Sequence, residues 1–247
     1  MNLDIFLACV GIFFWELYGN FVGGGSLVTQ IFLQNIIGFE IKHAIALDNA
    51  AVLGSEIWLL FMLLRKEKIE VWMWYMVGVA SFGALFWANL LNVLPTAYVK
   101  IIFTLAVFGL NTQDVDYHIE KWFIPNQKTL ILLSFATFFV ATYNAFLSVW
   151  DFIIGLLVLT SLFHFQYHRA LFVLSFCFVF ARAVGTFEYF RLELINVDFY
   201  VPMFFTALLS GIIAGYFVHK IHSDILNKIL KYLSIFLAWY LVFEVFF

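Results

Sequence analysis

The sequence predicts an all-α integral membrane protein made of two inverted repeats of about five helical segments, some short, broken or re-entrant. Three observations carry this expectation. Of the 247 residues, 64% are hydrophobic and 12% charged, too few charges to cover a soluble domain of this size. Apolar stretches follow one another along the chain, several long enough to cross a bilayer, which takes about 20 residues of helix. One of them is interrupted at Phe21-Val22-Gly23-Gly24-Gly25-Ser26, where three adjacent glycines oppose a continuous helix.

Ten apolar segments are expected, at roughly 3–20, 27–38, 44–64, 71–91, 94–110, 129–147, 150–163, 168–190, 199–218 and 224–245. The first lacks a basic leader and a small-residue cleavage site, so it reads as a retained helix. The glycine run then breaks the chain. In lipid, backbone groups released by such a break must meet protein, water or a ligand. The helix ends there would aim free N–H groups and partial positive charge at whatever binds. Ser26 can cap the short second segment. The third segment opens on Lys42-His43-Ala44, and Gly78 and Gly83 mark the fourth.

A polar stretch from Asn111 to Lys128, with Asp114, Asp116, His118, Glu120 and Pro125, reads as a linker. It divides a first repeat, 1–110, from a second, 129–247. The second half echoes the first. Its own short segment lies second, at 150–163, His168-Arg169-Ala170 opens the next, and Gly211 and Gly215 mark the one after. Five crossings per half would make the second half an inverted copy, a geometry in which one repeat rocks against the other around a central site.

Basic residues set the expected topology. If all ten segments cross, Arg65, Lys66, Lys68, Lys121, Lys128, Arg169, Lys220, Lys228 and Lys231 share one side, and Lys42, Lys100 and Arg191 lie at the other. Basic loops favour the cytoplasm, which places both termini outside a cytoplasmic (inner) cell membrane.

Polar residues inside the apolar segments are the candidate functional groups, because an ionised side chain in hydrocarbon needs water, a partner or a proton. Glu16 and Asn20 form an i,i+4 pair just before the glycines, and Gln30 and Gln34 another just after. Asp48-Asn49 and Glu56 share the third segment, with Asp48 and Glu56 expected near one face. These carboxylates serve either proton handling or structural polar contacts. In the second half Asn144, Ser148 and Asp151 flank the corresponding break, beside Trp150. Arg182 offers five donors to an anion or a carboxylate, with Asp151 and Glu188 as candidate partners, although Glu188 does not share its helical face. His164 and His168 have i,i+4 spacing, which suits a loop or interface better than a metal anchor. Cys9 and Cys177 read as small buried hydrophobes.

Several stretches carry a family resemblance: GNFVGGGSLVTQIFL, GFEIKHAIALDNAAVLGS and VGVASFGALFWANLLNVLP in the first half, HRALFVLS and SGIIAGYF in the second. With these the chain resembles the TauE/SafE family of membrane transporters over most of its length. The resemblance implies a two-repeat transporter fold and the export or uptake of small anions such as sulfite and sulfonates. It places Gly23, Gly24, Gly25 and Asn49 near the first half-site, and Ser175 at the matching small polar position of the second.

The expectation is therefore a secondary transporter, not an enzyme, for a small anionic solute. Gly23, Gly24, Gly25, Ser26, Asn49, Ser148, Ser175 and Arg182 would bind the solute, and Glu16, Asp48, Glu56 and Asp151 would couple protons. No nucleotide-binding loop, cofactor, metal or nucleic-acid partner is expected. The partners are the solute and the lipid bilayer, with a homodimer left open. Two other classes compete: a histidine-based membrane metalloenzyme and a non-transporting structural or assembly protein.

Overall fold

The computed structural model describes residues 3–22, 25–65, 67–95, 127–147 and 167–217, with a few isolated positions between them. Seven α-helices lie there: α1 Leu3–Val22, α2 Gly25–Asn35, α3 Ile41–Leu63, α4 Val71–Val93, α5 Gln127–Leu147, α6 Tyr167–Arg191 and α7 Val197–Phe217. No strand occurs among the described residues. α1, α3, α4, α6 and α7 are long and apolar enough to cross a membrane. Most of the expected segments at 94–110 and 150–163, the linker up to residue 126 and the segment at 224–245 lie outside the described residues, and the last two linker residues, Gln127 and Lys128, already belong to α5.

The expected break at the glycine run separates α1 from α2. α2 does not continue α1 but folds back along it: a Cβ on Gly11 would meet the Phe32 ring at 2.8 Å, and one on Gly19 would meet the Gly25 Cα at 2.8 Å. Its 11 residues cover about 16 Å, half a crossing. The segment expected at 27–38 therefore returns toward the start of α3 with the help of the non-helical stretch 36–40.

Gly25 is needed at this fold-back, because a Cβ there would strike the Trp15 carbonyl oxygen and come within 2.9 Å of the Gly19 Cα. Only backbone fits between the two helices. A Gly25→Ala substitution is expected to lower stability by about 1–3 kcal/mol, read as a fall in the thermal unfolding midpoint in detergent.

α3 is the hub. It is buried almost all round from Ala44 to Glu56, which suits a helix enclosed by others. It packs most extensively on α7, then on α6 and α2. α4 packs on α5 and α6, and α1 on α7 and α2. Two apolar clusters result. One joins α1, α2, the first half of α3, the end of α4 and the start of α7. The other joins the start of α4, α5, the first half of α6 and Leu60 of α3.

Gly78 and Gly211, expected to mark corresponding places, are used differently. A Cβ on Gly78 would meet nothing within 4 Å, whereas one on Gly211 would lie 2.8 Å from the Ser55 Cα.

Candidate functional site

The polar residues of α3 turn to three different neighbours. Asp48 lies seven residues into the helix, about 10 Å from its start, and is fully buried. It faces α2, where the equally buried Gln30 donates from Nε2 to Asp48 Oδ2 at 3.0 Å. Gln34 donates to the Gln30 carbonyl oxygen at 3.2 Å, holding the next turn of α2 against the first. Ser26 is buried one turn before Gln30, on the same face of α2. Asn49 is buried beside Asp48.

Ser55 faces α1. Its hydroxyl donates to Glu16 Oε2 at 3.2 Å and to the Val52 carbonyl oxygen at 2.9 Å. Glu16 is buried, and Asn20 caps its backbone rather than its carboxylate, donating from Nδ2 to the Glu16 carbonyl oxygen at 2.7 Å.

Glu56 faces α6. Its Oε1 lies 2.9 Å from Arg182 Nε, with side chains 7% and 3% exposed. This corrects the expected pairing of Arg182. Glu188 instead accepts from Arg191, its neighbour one turn on, at 2.9 Å from Nε. Asp151 lies outside the described residues. It also corrects the expectation that Asp48 and Glu56 share a face. Eight residues leave them about 80° apart, enough to send one toward α2 and the other toward α6.

On α6, Ser175, Arg182 and Thr186 are spaced i, i+7, i+11 and so form one stripe. The Ser175 and Thr186 hydroxyls are buried and have no hydrogen-bond partner among the described residues. Gly23, Gly24 and Ser148 lie outside the described residues, as do Trp150, His164 and the side chains of Asn144 and His168.

Sequence reasoning missed Ser55 and Thr186, which carry no charge to draw attention. It also read Arg169 only as a loop charge. Arg169 is buried at the start of α6, donating to Glu67 and to the Lys68 carbonyl oxygen, each at 3.0 Å, and to Glu70. Its guanidinium also lies 5.6 Å from the centre of the Phe172 ring.

His43 Nδ1 lies 2.9 Å from the Leu194 carbonyl oxygen, in the turn between α6 and α7. Among the described residues no group of three His, Cys, Asp or Glu could hold a metal ion.

No curated protein and no solved structure matches the chain. The family described as Sulfite exporter TauE/SafE matches residues 7–241, nearly the whole chain. Five of the helices among the described residues are long and apolar enough to span a membrane, buried polar side chains lie between them, and the chain belongs to the TauE/SafE family, whose members are transporters rather than enzymes.

Proposed function

We propose that this secondary anion transporter binds its solute between α2 and α3, beside the glycine break, together with a proton carried on Asp48. The Gln30–Asp48 hydrogen bond carries the reading. It puts a carboxylate and its donor, both fully buried, on a short helix and its neighbour where the chain reverses. Ser26 and Asn49 add a hydroxyl and an amide, and Gly23 and Gly24, expected from the sequence to offer backbone donors with Gly25, directly precede α2 in the chain. An ionised Asp48 repels an anion, and a protonated one is neutral and can donate to it. Solute and proton then travel together. In the second half Ser148, Asp151 and Ser175 are the candidates for a matching half-site.

Glu16 is a second proton position. The single Ser55 hydroxyl proton cannot fully serve both Glu16 and the Val52 carbonyl. A proton on Glu16 resolves this, with Glu16 donating to Ser55 and Ser55 to Val52. Arg182 and Glu56, expected to bind solute and carry a proton, compensate each other's charge, and we assign them to the frame.

Two inverted repeats, 1–110 and 129–247 about the linker 111–128, fit this site. The helix starts at 41 and 71 recur at 167 and 197, in both cases 126 residues later. The packing follows the same correspondence: α1 on α7 matches α5 on α4, and α3 on α7 matches α6 on α4. Arg169 reaches Lys68, so those charges share a face. With basic loops in the cytoplasm of a cytoplasmic (inner) membrane, both termini lie outside.

The test is flux in proteoliposomes, with sulfite, thiosulfate, sulfonates and carboxylates supplied with and without a pH gradient. The wild-type chain is expected to move at least one of these faster with an inward proton gradient. Asp48→Asn, neutral and similar in shape, is expected to lose that gradient response. A folded Asp48→Asn variant whose flux still follows the gradient would remove Asp48 from the coupling.

A further inference from the structure

The contacts that α3 and α6 make across the two halves fall on matching positions. His43 is the third residue of α3, and Arg169 is the third residue of α6. His43 meets the carbonyl of Leu194, in the turn after α6; Arg169 meets the carbonyl of Lys68, in the turn after α3. Positions 43 and 169 are 126 apart, and so are 68 and 194, the same spacing as the helix starts. The two contacts are therefore one contact made twice, at opposite faces of the membrane.

Glu56 and Arg182 are also 126 apart, but they touch each other. In a two-fold arrangement only positions on the axis meet their own mates. This ion pair lies between the two apolar clusters: on α3 it falls after Ala51 and before Leu60, and on α6 after Ala181 and before Tyr189.

An inverted-repeat transporter changes access when its two repeats exchange conformations. A contact between mates maps onto itself under that exchange and need not break. A contact that maps onto a different one must be made at one face while it opens at the other. We propose that Arg169 and His43 are the two gate latches of the transporter, Arg169 closing the face that carries Glu67, Lys68 and Glu70, His43 closing the opposite face, with Glu56–Arg182 as the fixed pivot between them. The inference rests on the inverted-repeat reading and not on the solute or on Asp48. Both latches are made in this structure, which is the arrangement of a chain closed at both faces. They differ in strength. Arg169 adds two carboxylates to the shared carbonyl contact, whereas His43 makes a single hydrogen bond, so the His43 face opens more readily.

Thiol labelling tests this without any solute. Ser175 lies six residues beyond Arg169 on α6 and Asn49 six beyond His43 on α3, each about 9 Å behind its latch. With Cys9→Ala and Cys177→Ala as background, Ser175→Cys and Asn49→Cys are labelled separately in sealed vesicles of known orientation. The probe is a membrane-impermeant methanethiosulfonate, applied from one face at a time. Adding Arg169→Ala is expected to speed labelling of Ser175→Cys about tenfold, from the Lys68 face only. Adding His43→Ala is expected to speed labelling of Asn49→Cys about threefold, from the other face only.

Arg169→Lys, which keeps the charge but not the fork, should give a smaller rise than Arg169→Ala. If Arg169→Ala does not fold, Glu67→Gln with Glu70→Gln weakens the same latch and keeps the arginine. A rise with only one of the two latch variants, a rise from both faces with either variant, or no rise at all overturns the proposal. Failure of the Asp48 flux test leaves these outcomes untouched, so the two readings fail separately.

Discussion

Glu56→Gln and Arg182→Gln are each expected to lower the stability of the folded chain by about 3–5 kcal/mol. The pair is almost fully enclosed, with the carboxylate and guanidinium 2.9 Å apart in a helix interface that lipid surrounds. Removing one member leaves the other charge buried with its main compensation gone, and the desolvation already spent on it is not recovered. Removing both is different. Glu56→Leu with Arg182→Met replaces the charges with apolar side chains of similar length and is expected to recover most of the loss. The exchanged pair, Glu56→Arg with Arg182→Glu, should fall between, because the attraction returns but the local donors and acceptors no longer fit. Thermal unfolding of the purified protein in detergent reads all four. A Glu56→Gln variant that melts with the wild type would mean that the pair adds nothing to the fold. Flux tests the proposed pivot: a stable apolar pair that still transports shows that packing at this place, not charge, is what transport needs.

The all-α, membrane-spanning class was legible because it rests on composition and length, which no tertiary contact can reverse. The helix break was legible for the same reason, since three glycines oppose a helix whatever surrounds them. The match of Lys42-His43-Ala44 to His168-Arg169-Ala170, and of Asn49 to Ser175, already held the 126-residue spacing on which the proposed repeats rest. The glycines pointed elsewhere. Gly78 is the eighth residue of α4 and Gly211 the fifteenth of α7, so they are not matching positions.

Pairing was the part sequence could not give. Glu56 and Arg182 lie far apart in the chain, and helical periodicity fixes which face a side chain takes but not which helix lies opposite. Glu188 illustrates this. Its charge made it a candidate partner for Arg182 although the two fall on different faces of α6, and Arg191, one turn on, takes it. Ser55 was invisible for another reason. A serine in an apolar helix has no signature until its neighbour across the interface proves to be Glu16.

Gly211→Val is expected to disrupt both fold and flux, while Gly78→Ala leaves them intact. α3 and α7 form the most extensive helix pair, and they meet backbone to backbone. A Cβ on Gly211 would lie 2.8 Å from both the Ser55 Cα and its carbonyl oxygen, and one on Gly54 would strike the Phe204 carbonyl oxygen. None of these atoms is the end of a flexible side chain, so the helices themselves must separate. Overpacking of this kind costs about 1–3 kcal/mol, and valine, with two further methyl groups in the same gap, belongs at the upper end. The displaced residue is Ser55, whose hydroxyl holds Glu16, so the disturbance reaches a proposed proton position as well as the packing. Gly78 supplies the contrast. It is exposed on α4 with nothing within 4 Å of an added Cβ, and alanine there gains about 0.5–1 kcal/mol of helix preference in an unstrained site. Melting temperature and proteoliposome flux, measured on both variants, should therefore move apart. If Gly211→Val melts and transports like Gly78→Ala, then α3 and α7 do not approach as closely as their glycines allow, and the placement of Ser55 against Glu16 falls with that contact.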